Sequence, residues 1–319
     1  MTVGMALKEG FRMSQRARPA VWILFLTNLG LAALAAIPIY RGILRSTGHS
    51  LMGERLWAGF QVDWLIDFQF ASVGSLDRYA AVIALFGLLS IPINTILSGG
   101  VLCCFRESQL PFSLSAFFQN TGRYAGRLIR LMILGLFCYW ILFRTLNQGL
   151  NKLISDNTHD WQSDRTVFAL QAAAYLLLFL GLASVNLVID YARVKLVLED
   201  ATSAAGAFLS SLAFAISRFR RAVTVYAIPS VCGVALLGIY WLVVPWSVIN
   251  TPLVEGSWAP YRGPLTVALL FLGQQVVMYG RYWFRVATWG GEWSYYSGVR
   301  QGRHSGREES VAPGAPAPE

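Results

Sequence analysis

Six long runs of apolar residues constrain most strongly how this 319-residue chain can fold. A helix needs about 20 apolar residues to cross the roughly 30 Å hydrocarbon core of a bilayer. Runs of this kind predict membrane spans near residues 20–40, 79–105, 128–147, 167–189, 222–248 and 264–280. Soluble helices carry a polar face, which these runs lack. The sequence therefore predicts an all-α fold, a polytopic membrane bundle of six transmembrane helices.

The composition agrees with a protein whose solvent is mostly lipid. Hydrophobic residues make up 55% of the chain and charged residues only 13%. Soluble domains usually carry about 25% charged residues. So few charges disfavour a soluble enzyme, and so many apolar side chains disfavour a disordered chain.

The basic residues predict the orientation of the spans. Eighteen Lys and Arg residues flank the N-terminus, the second and fourth connections and the C-terminus, whereas eight flank the other three connections. Because cytoplasmic segments carry an excess of Lys and Arg, we expect both termini to be cytoplasmic.

The even-numbered spans end in similar motifs. Span four ends in Asn186-Leu-Val-Ile-Asp-Tyr-Ala-Arg193, and span six ends in Gln274-Gln-Val-Val-Met-Tyr-Gly-Arg281. Span two ends at Arg106 and keeps only the Val and the Arg of this motif. Tyr and Arg mark membrane interfaces and bind lipid phosphates. We therefore predict lipid-headgroup contacts at Arg106, Arg193, Arg281, Tyr191 and Tyr279.

Similar segments precede the odd-numbered spans. In each segment Ser or Thr and then Arg follow aromatic or apolar residues. Such a segment is typical of an amphipathic helix on the membrane surface. Ser113 and Thr202 are predicted N-caps of the second and third of these helices. The pattern predicts three hairpin repeats, each an interface helix, a span, an outer loop and a span, that start near residues 7, 113 and 207.

These elements predict three parts of the chain. Residues 1–19 form a cytoplasmic N-terminal interface helix, and residues 20–290 form the six-span membrane domain. Residues 291–319, rich in Ser, Gly, Arg, Pro and Ala, are predicted to be a disordered cytoplasmic tail.

The stretch from Asp190 to Asp200, with the Ala- and Phe-rich segment and Arg-Phe-Arg-Arg that follow it, resembles a known family. It is similar to uncharacterised bacterial six-span proteins related to the membrane domain of some glycerophosphodiester phosphodiesterases. The resemblance covers roughly residues 5–300, and residues 186–221 carry its specific part. It implies a multi-pass protein of the bacterial inner (plasma) membrane, and it implies no catalytic residue.

The sequence contains no recognisable catalytic constellation. Its three histidines, His49, His159 and His304, are scattered, so we expect no enzyme activity, no cofactor and no metal site. Asp156, Asp160 and Asp164 share a helix face that could bind a divalent cation, although a solvated face is the favoured interpretation. We call the connection between spans one and two the aromatic outer loop. Its pattern predicts a helix on the membrane surface with these residues at the interface: Leu56, Trp57, Phe60, Trp64 and Phe68.

Four amides form a candidate intramembrane polar site: Asn94, Asn186, Gln274 and Gln275. Amides inside a bundle either bond to neighbouring helices or line a conduction path. No Lys, Glu or Arg lies in the middle of a span, although coupled transport usually needs one there. Structural amides are therefore favoured over a conduction path.

The sequence favours a non-enzymatic integral inner-membrane protein that acts as a scaffold or a lipid-engaging component. The alternative is a transporter or channel subunit that passes a small solute between the repeats. We expect membrane lipids as partners, with a membrane protein as a possible partner, and no nucleic acid.

Overall fold

The computed structural model describes residues 1–48, 66–68, 75–107, 110–158, 164–243 and 264–311, together with Trp64. In these ranges every regular element is a helix. The helices are α1 (Val3–Arg16), α2 (Arg18–Thr47), α3 (Ser75–Arg106), α4 (Leu114–Leu142), α5 (Gln148–Thr158), α6 (Asp164–Leu198), α7 (Ala204–Ser217), α8 (Phe219–Val243) and α9 (Pro264–Val311). A π-helical segment, Phe143–Asn147, joins α4 to α5.

Five helical stretches in the described part are long and apolar enough to cross a membrane: Arg18–Thr47, Asp77–Arg106, Leu114–Asp156, Arg165–Leu198 and Phe219–Leu242. Large apolar side chains on them, such as Leu88, Phe179 and Val234, are exposed. Such surfaces require lipid, and the protein is an integral membrane protein. The predicted sixth span, residues 264–280, forms the start of α9 and stays a prediction.

The chain divides into two compact units. The first contains residues 1–17, 95–229 and 286–319, and the second contains residues 18–94 and 230–285. The first unit therefore holds α1, α4, α5, α6 and α7, together with the end of α3, the start of α8 and the end of α9. Its hydrophobic core includes Ala6, Tyr191, Ala222, Val225 and Tyr295.

Three helices of the first unit begin with the same cap. The side-chain oxygens of Thr2, Ser113 and Ser203 accept hydrogen bonds from the backbone N–H groups three residues later, at 3.4, 3.5 and 3.1 Å. The prediction of Ser113 is confirmed. The prediction of Thr202 is wrong by one residue, because Ser203 has the extended backbone of a cap and its Oγ makes the bond.

Helix α1 packs against α9 through very small residues. Ala6, Gly10 and Ser14 lie four residues apart and are buried. A Cβ atom on Gly10 would lie 2.5 Å from the Gly291 backbone N and 2.7 Å from the Ala287 carbonyl O. The backbones of the two helices are therefore in direct contact, which only glycine at this position permits.

Helix α9 extends far beyond the predicted start of a disordered tail. It continues through Val311, and Trp293 and Tyr295 are buried in the first unit. The predicted boundary at residue 291 is wrong, because these aromatic side chains form a buried face within a polar sequence. Residues 312–319 lie outside the described part of the chain.

Several predicted outer features also lie outside the described part. They include most of the aromatic outer loop and the side chains of His49, His159, Asp160, Asp164 and His304. Within that loop Trp64 and Phe68 are described, and their rings stack with centroids 5.1 Å apart. Asp156 is exposed on α5.

Candidate functional site

Asn94, the first of the predicted polar-site amides, forms a closed pair with Asn28 in the second unit. Asn28 Nδ2 donates to Asn94 Oδ1 at 2.7 Å, and Asn94 Nδ2 donates to Asn28 Oδ1 at 2.8 Å. Each Nδ2 also donates to the backbone carbonyl four residues earlier, Leu24 O or Ser90 O. Both donors of each amide are used, so this pair holds α2 against α3.

The other predicted amides have different surroundings. Asn186 Nδ2 donates to the Tyr226 hydroxyl at 2.7 Å and links α6 to α8 within the first unit. In the second unit, the side chain of Gln274 is exposed and that of Gln275 is partly buried. Asn94 and Asn186 therefore each bond to a neighbouring helix, as amides inside a helix bundle often do.

Tyr191 is not a lipid-headgroup contact, and that prediction is wrong. Its side chain is fully buried, and its ring lies 5.3 Å from that of Phe214 on α7. Span four is predicted to end in the motif that contains Arg193, but α6 continues to Leu198. Helices α7 and α9 cover this side of α6 with Phe214 and Tyr295.

Arg193 also faces the protein. Its Nη1 lies 3.1 Å from Oδ1 of Asp190, and its side chain is only 14% exposed. Asp190 is fully buried and also accepts a 3.3 Å hydrogen bond from Trp289 Nε1. Buried charges must be paired, so the guanidinium stabilises an acid that cannot reach solvent.

The remaining predicted headgroup contacts differ from this pair. Arg106 and Arg281 are exposed, and their contact with lipid stays a prediction. Tyr279 is half-buried, and its ring lies 4.6 Å from that of Trp22 in the second unit. The two Tyr-x-Arg motifs of spans four and six therefore have unlike environments.

A second buried acid, Glu292 on α9, belongs to the same region of the first unit. The ring centroid of Phe214 lies 5.3 Å from that of Tyr191 and 6.0 Å from that of Tyr295. Asp190, Tyr191, Glu292 and Tyr295 are all fully buried. We name these four residues the buried acidic cluster. Sequence reasoning missed Glu292 because it was assigned to a disordered tail. The signal was the aromatic pattern around it, with Trp289 and Trp293 on either side.

Asp200 fixes the turn between α6 and α7 onto α4. Its carboxylate accepts hydrogen bonds from Arg123 Nη2 at 2.8 Å and from Arg127 Nη1 at 2.5 Å. Arg127 also donates to the carbonyl oxygens of Asp200 and Ala201, at 3.1 and 3.3 Å. The backbone φ of Asp200 is +50°, a left-handed value that Asp and Asn tolerate better than most residues.

Asp200→Asn should destabilise the protein at neutral pH. The hydrogen bond from Arg127, and then the charges of both arginines, lower the pKa of Asp200 below its ordinary 3.8. A group with a lowered folded-state pKa stabilises the fold above its unfolded pKa, and this contribution disappears as the pH falls through the folded pKa. The melting temperatures of the two proteins should therefore differ at pH 7 and converge below about pH 4. A difference that persists unchanged at low pH would exclude the ionic contribution.

Helix α7 has apolar residues on two opposite faces. Ala207, Ser211 and Ala215 are buried on the inner face. On the outer face Leu209 is 63% exposed and Ile216 is 67% exposed. Leu212 on α7 is also exposed, and so are Phe219, Arg220 and Arg221, which begin α8 directly after it. An exposed apolar row beside arginines is typical of a helix that lies in a membrane interface.

No protein-family model, curated protein or solved structure matches this chain. The resemblance of residues 186–221 to the membrane domain of some glycerophosphodiester phosphodiesterases therefore stays a prediction.

Proposed function

We propose that the chain is a non-enzymatic protein of the bacterial inner membrane that binds anionic lipid at the cytoplasmic surface. Both termini are cytoplasmic in this proposal. The outer face of α7 carries it, because Leu209 and Ile216 are exposed although the opposite face already packs in the first unit. In water such a face would be costly, whereas at headgroup depth it is stabilised by the acyl chains.

The charges that follow this face support the same proposal. Arg218, Arg220 and Arg221 come directly after α7. Arginines beside an apolar helix face attract anionic lipids, by about 1 kcal/mol for each basic residue near the surface. The structural amides described above agree with a scaffold, since Asn94 and Asn186 hold helices together.

Replacing Arg220 and Arg221 together by Gln should reduce the lipid dependence of stability. We expect the wild-type protein to melt at a higher temperature in nanodiscs with phosphatidylglycerol than in pure phosphatidylcholine. The variant should lose most of this difference, because two surface charges contribute about 2 kcal/mol to anionic lipid binding. The measurement is thermal unfolding in both lipids.

The matched control is Arg78→Gln together with Arg165→Gln, which removes two exposed charges on the predicted outer side. This control should keep the full lipid dependence. Equal loss in both variants would indicate a general charge effect and would contradict a specific role of the arginines that follow α7.

The buried acidic cluster favours a second candidate function, proton-coupled transport. Ionisable residues buried in membrane proteins often mark proton or ion paths, and Asp190 and Glu292 are both fully buried. Proteoliposomes with a trapped pH-sensitive dye would test this function. A proton flux that Glu292→Gln abolishes would support it, and a flux equal to that of empty vesicles would contradict it.

A further inference from the structure

A groove in the first unit lies between α4 and the start of α7. Its volume is about 540 Å³. Helix α4 contributes Arg130, Ile133, Leu134 and Phe137, and the start of α7 contributes Thr202, Ser203, Ala204 and Ala205. The groove is thus polar and cationic at one end and apolar at the other.

The cationic end suits a phosphate group. Arg130 is exposed, and within the described ranges it forms no salt bridge. The neighbouring Arg123 and Arg127 differ, because Asp200 binds both of them. Arg130 is therefore the arginine whose charge is available to a ligand in the groove. The first N–H groups of α7 add a partial positive charge beside it, which favours anions.

The apolar end suits an acyl chain. Ile133 is 59% exposed and Phe137 is 55% exposed. Both lie on one of the five stretches that can cross a membrane, Leu114–Asp156. Phe137 follows Arg130 by seven residues, or about 10 Å along the helix. The exposed apolar wall therefore leads from the cationic end along a membrane-spanning helix.

We propose that this groove binds one anionic phospholipid. Arg130 and the start of α7 bind its phosphate, and Ile133, Leu134 and Phe137 contact an acyl chain. Charge complementarity selects an anionic headgroup, because Asp200, two residues before the lining residue Thr202, is already neutralised by Arg123 and Arg127. This site depends on the proposed function, since the groove must lie at the depth of the headgroups.

Native mass spectrometry of the full-length protein in detergent can test the site. Phosphatidylglycerol is titrated into the wild-type protein and into Arg130→Gln, with phosphatidylcholine in parallel. We expect one phosphatidylglycerol to bind the wild type more tightly than phosphatidylcholine does. Arg130→Gln should weaken that binding about tenfold, the effect of losing one charge-assisted hydrogen bond. Equal affinity of the variant and the wild type would overturn the proposal.

Two further variants complete the experiment. The first distinguishes a lipid from free phosphate as the ligand, and the second distinguishes the groove proposal from the proposed function. Phe137→Ser should weaken phosphatidylglycerol binding without changing binding of inorganic phosphate, and an unchanged lipid affinity would contradict a lipid occupant.

Arg220→Gln with Arg221→Gln serves as the control, because these residues do not line the groove. If that control loses lipid dependence while Arg130→Gln binds lipid normally, the groove proposal fails and the proposed function stands. If Arg130→Gln loses the bound lipid while the control keeps its lipid dependence, the groove proposal stands, and the role given to Arg220 and Arg221 in lipid binding fails.

Discussion

Gly10→Ala is expected to destabilise the protein by about 1–3 kcal/mol, and Gly10→Leu to prevent its folding. The cause is the backbone contact between α1 and α9. A Cβ at position 10 would meet the Gly291 N at 2.5 Å and the Gly291 Cα at 2.8 Å. Backbone atoms within helices cannot turn away as a flexible side chain can, so the helices would have to separate. Thermal unfolding in detergent measures the effect.

Gly4 on the same helix provides the matched control, because a Cβ atom there would meet nothing within 4 Å. Gly4→Ala should be neutral or stabilising by up to about 1 kcal/mol, since Ala is the better helix former. Wild-type stability of Gly10→Ala, or equal destabilisation by the two substitutions, would contradict the close contact of α1 with α9.

Arg193→Gln is expected to lower the free energy of unfolding by roughly 3–5 kcal/mol, because it removes the guanidinium that pairs with the buried carboxylate of Asp190. The ion pair is 3.1 Å long, and Asp190 is fully buried. Restoring neutrality with Asp190→Asn in the same chain should recover most of the loss. The free energy of unfolding, or the yield of folded protein, measures both effects.

Arg281→Gln is the comparison that separates this role from lipid binding. Arg281 occupies the matching position of the similar motif, but its side chain is exposed. We expect its substitution to change stability by less than about 0.5 kcal/mol. Equal effects of the two substitutions would restore the interpretation that both arginines act at the headgroups.

The helices were predictable from the sequence because their signals are local. Long apolar runs located the five stretches that can cross a membrane. The N-cap at Ser113 was predictable because a serine directly precedes an apolar segment there. The burial of Tyr191 was not predictable in this way. It depends on α9, a segment about a hundred residues later in the chain, and no local pattern contains that contact.

The repeat shows the same distinction between local signals and packing. Thr2, Ser113 and Ser203 cap their helices alike, and the residue eight positions later is buried in each case: Gly10, Thr121 and Ser211. Aligning the even-numbered spans by the Arg residue of their shared motif does not align the glycines that pack against the interface helices. Gly100, six residues before Arg106, faces Thr121, whereas Gly290, nine residues after Arg281, faces Gly10. The three-fold repeat itself stays a prediction.

The buried acidic cluster was only half predictable. Asp190 was visible as a charge at the end of an apolar run. Glu292 lies in a stretch rich in Ser, Gly and Arg, and composition alone assigned it to a tail. Aromatic side chains spaced along α9, such as Trp289 and Trp293, are the feature that buries it.

The depth of the outer face of α7 in the bilayer tests the proposed function most directly. A spin label is attached at residue 212 or 216, in turn, of a chain without Cys103, Cys104, Cys138 and Cys232. Its collisions with oxygen and with a water-soluble nickel complex are then measured in vesicles containing phosphatidylglycerol. We predict greater access to oxygen than to the nickel complex at both positions. Greater access to the nickel complex at both would place the face in water and contradict the proposed function.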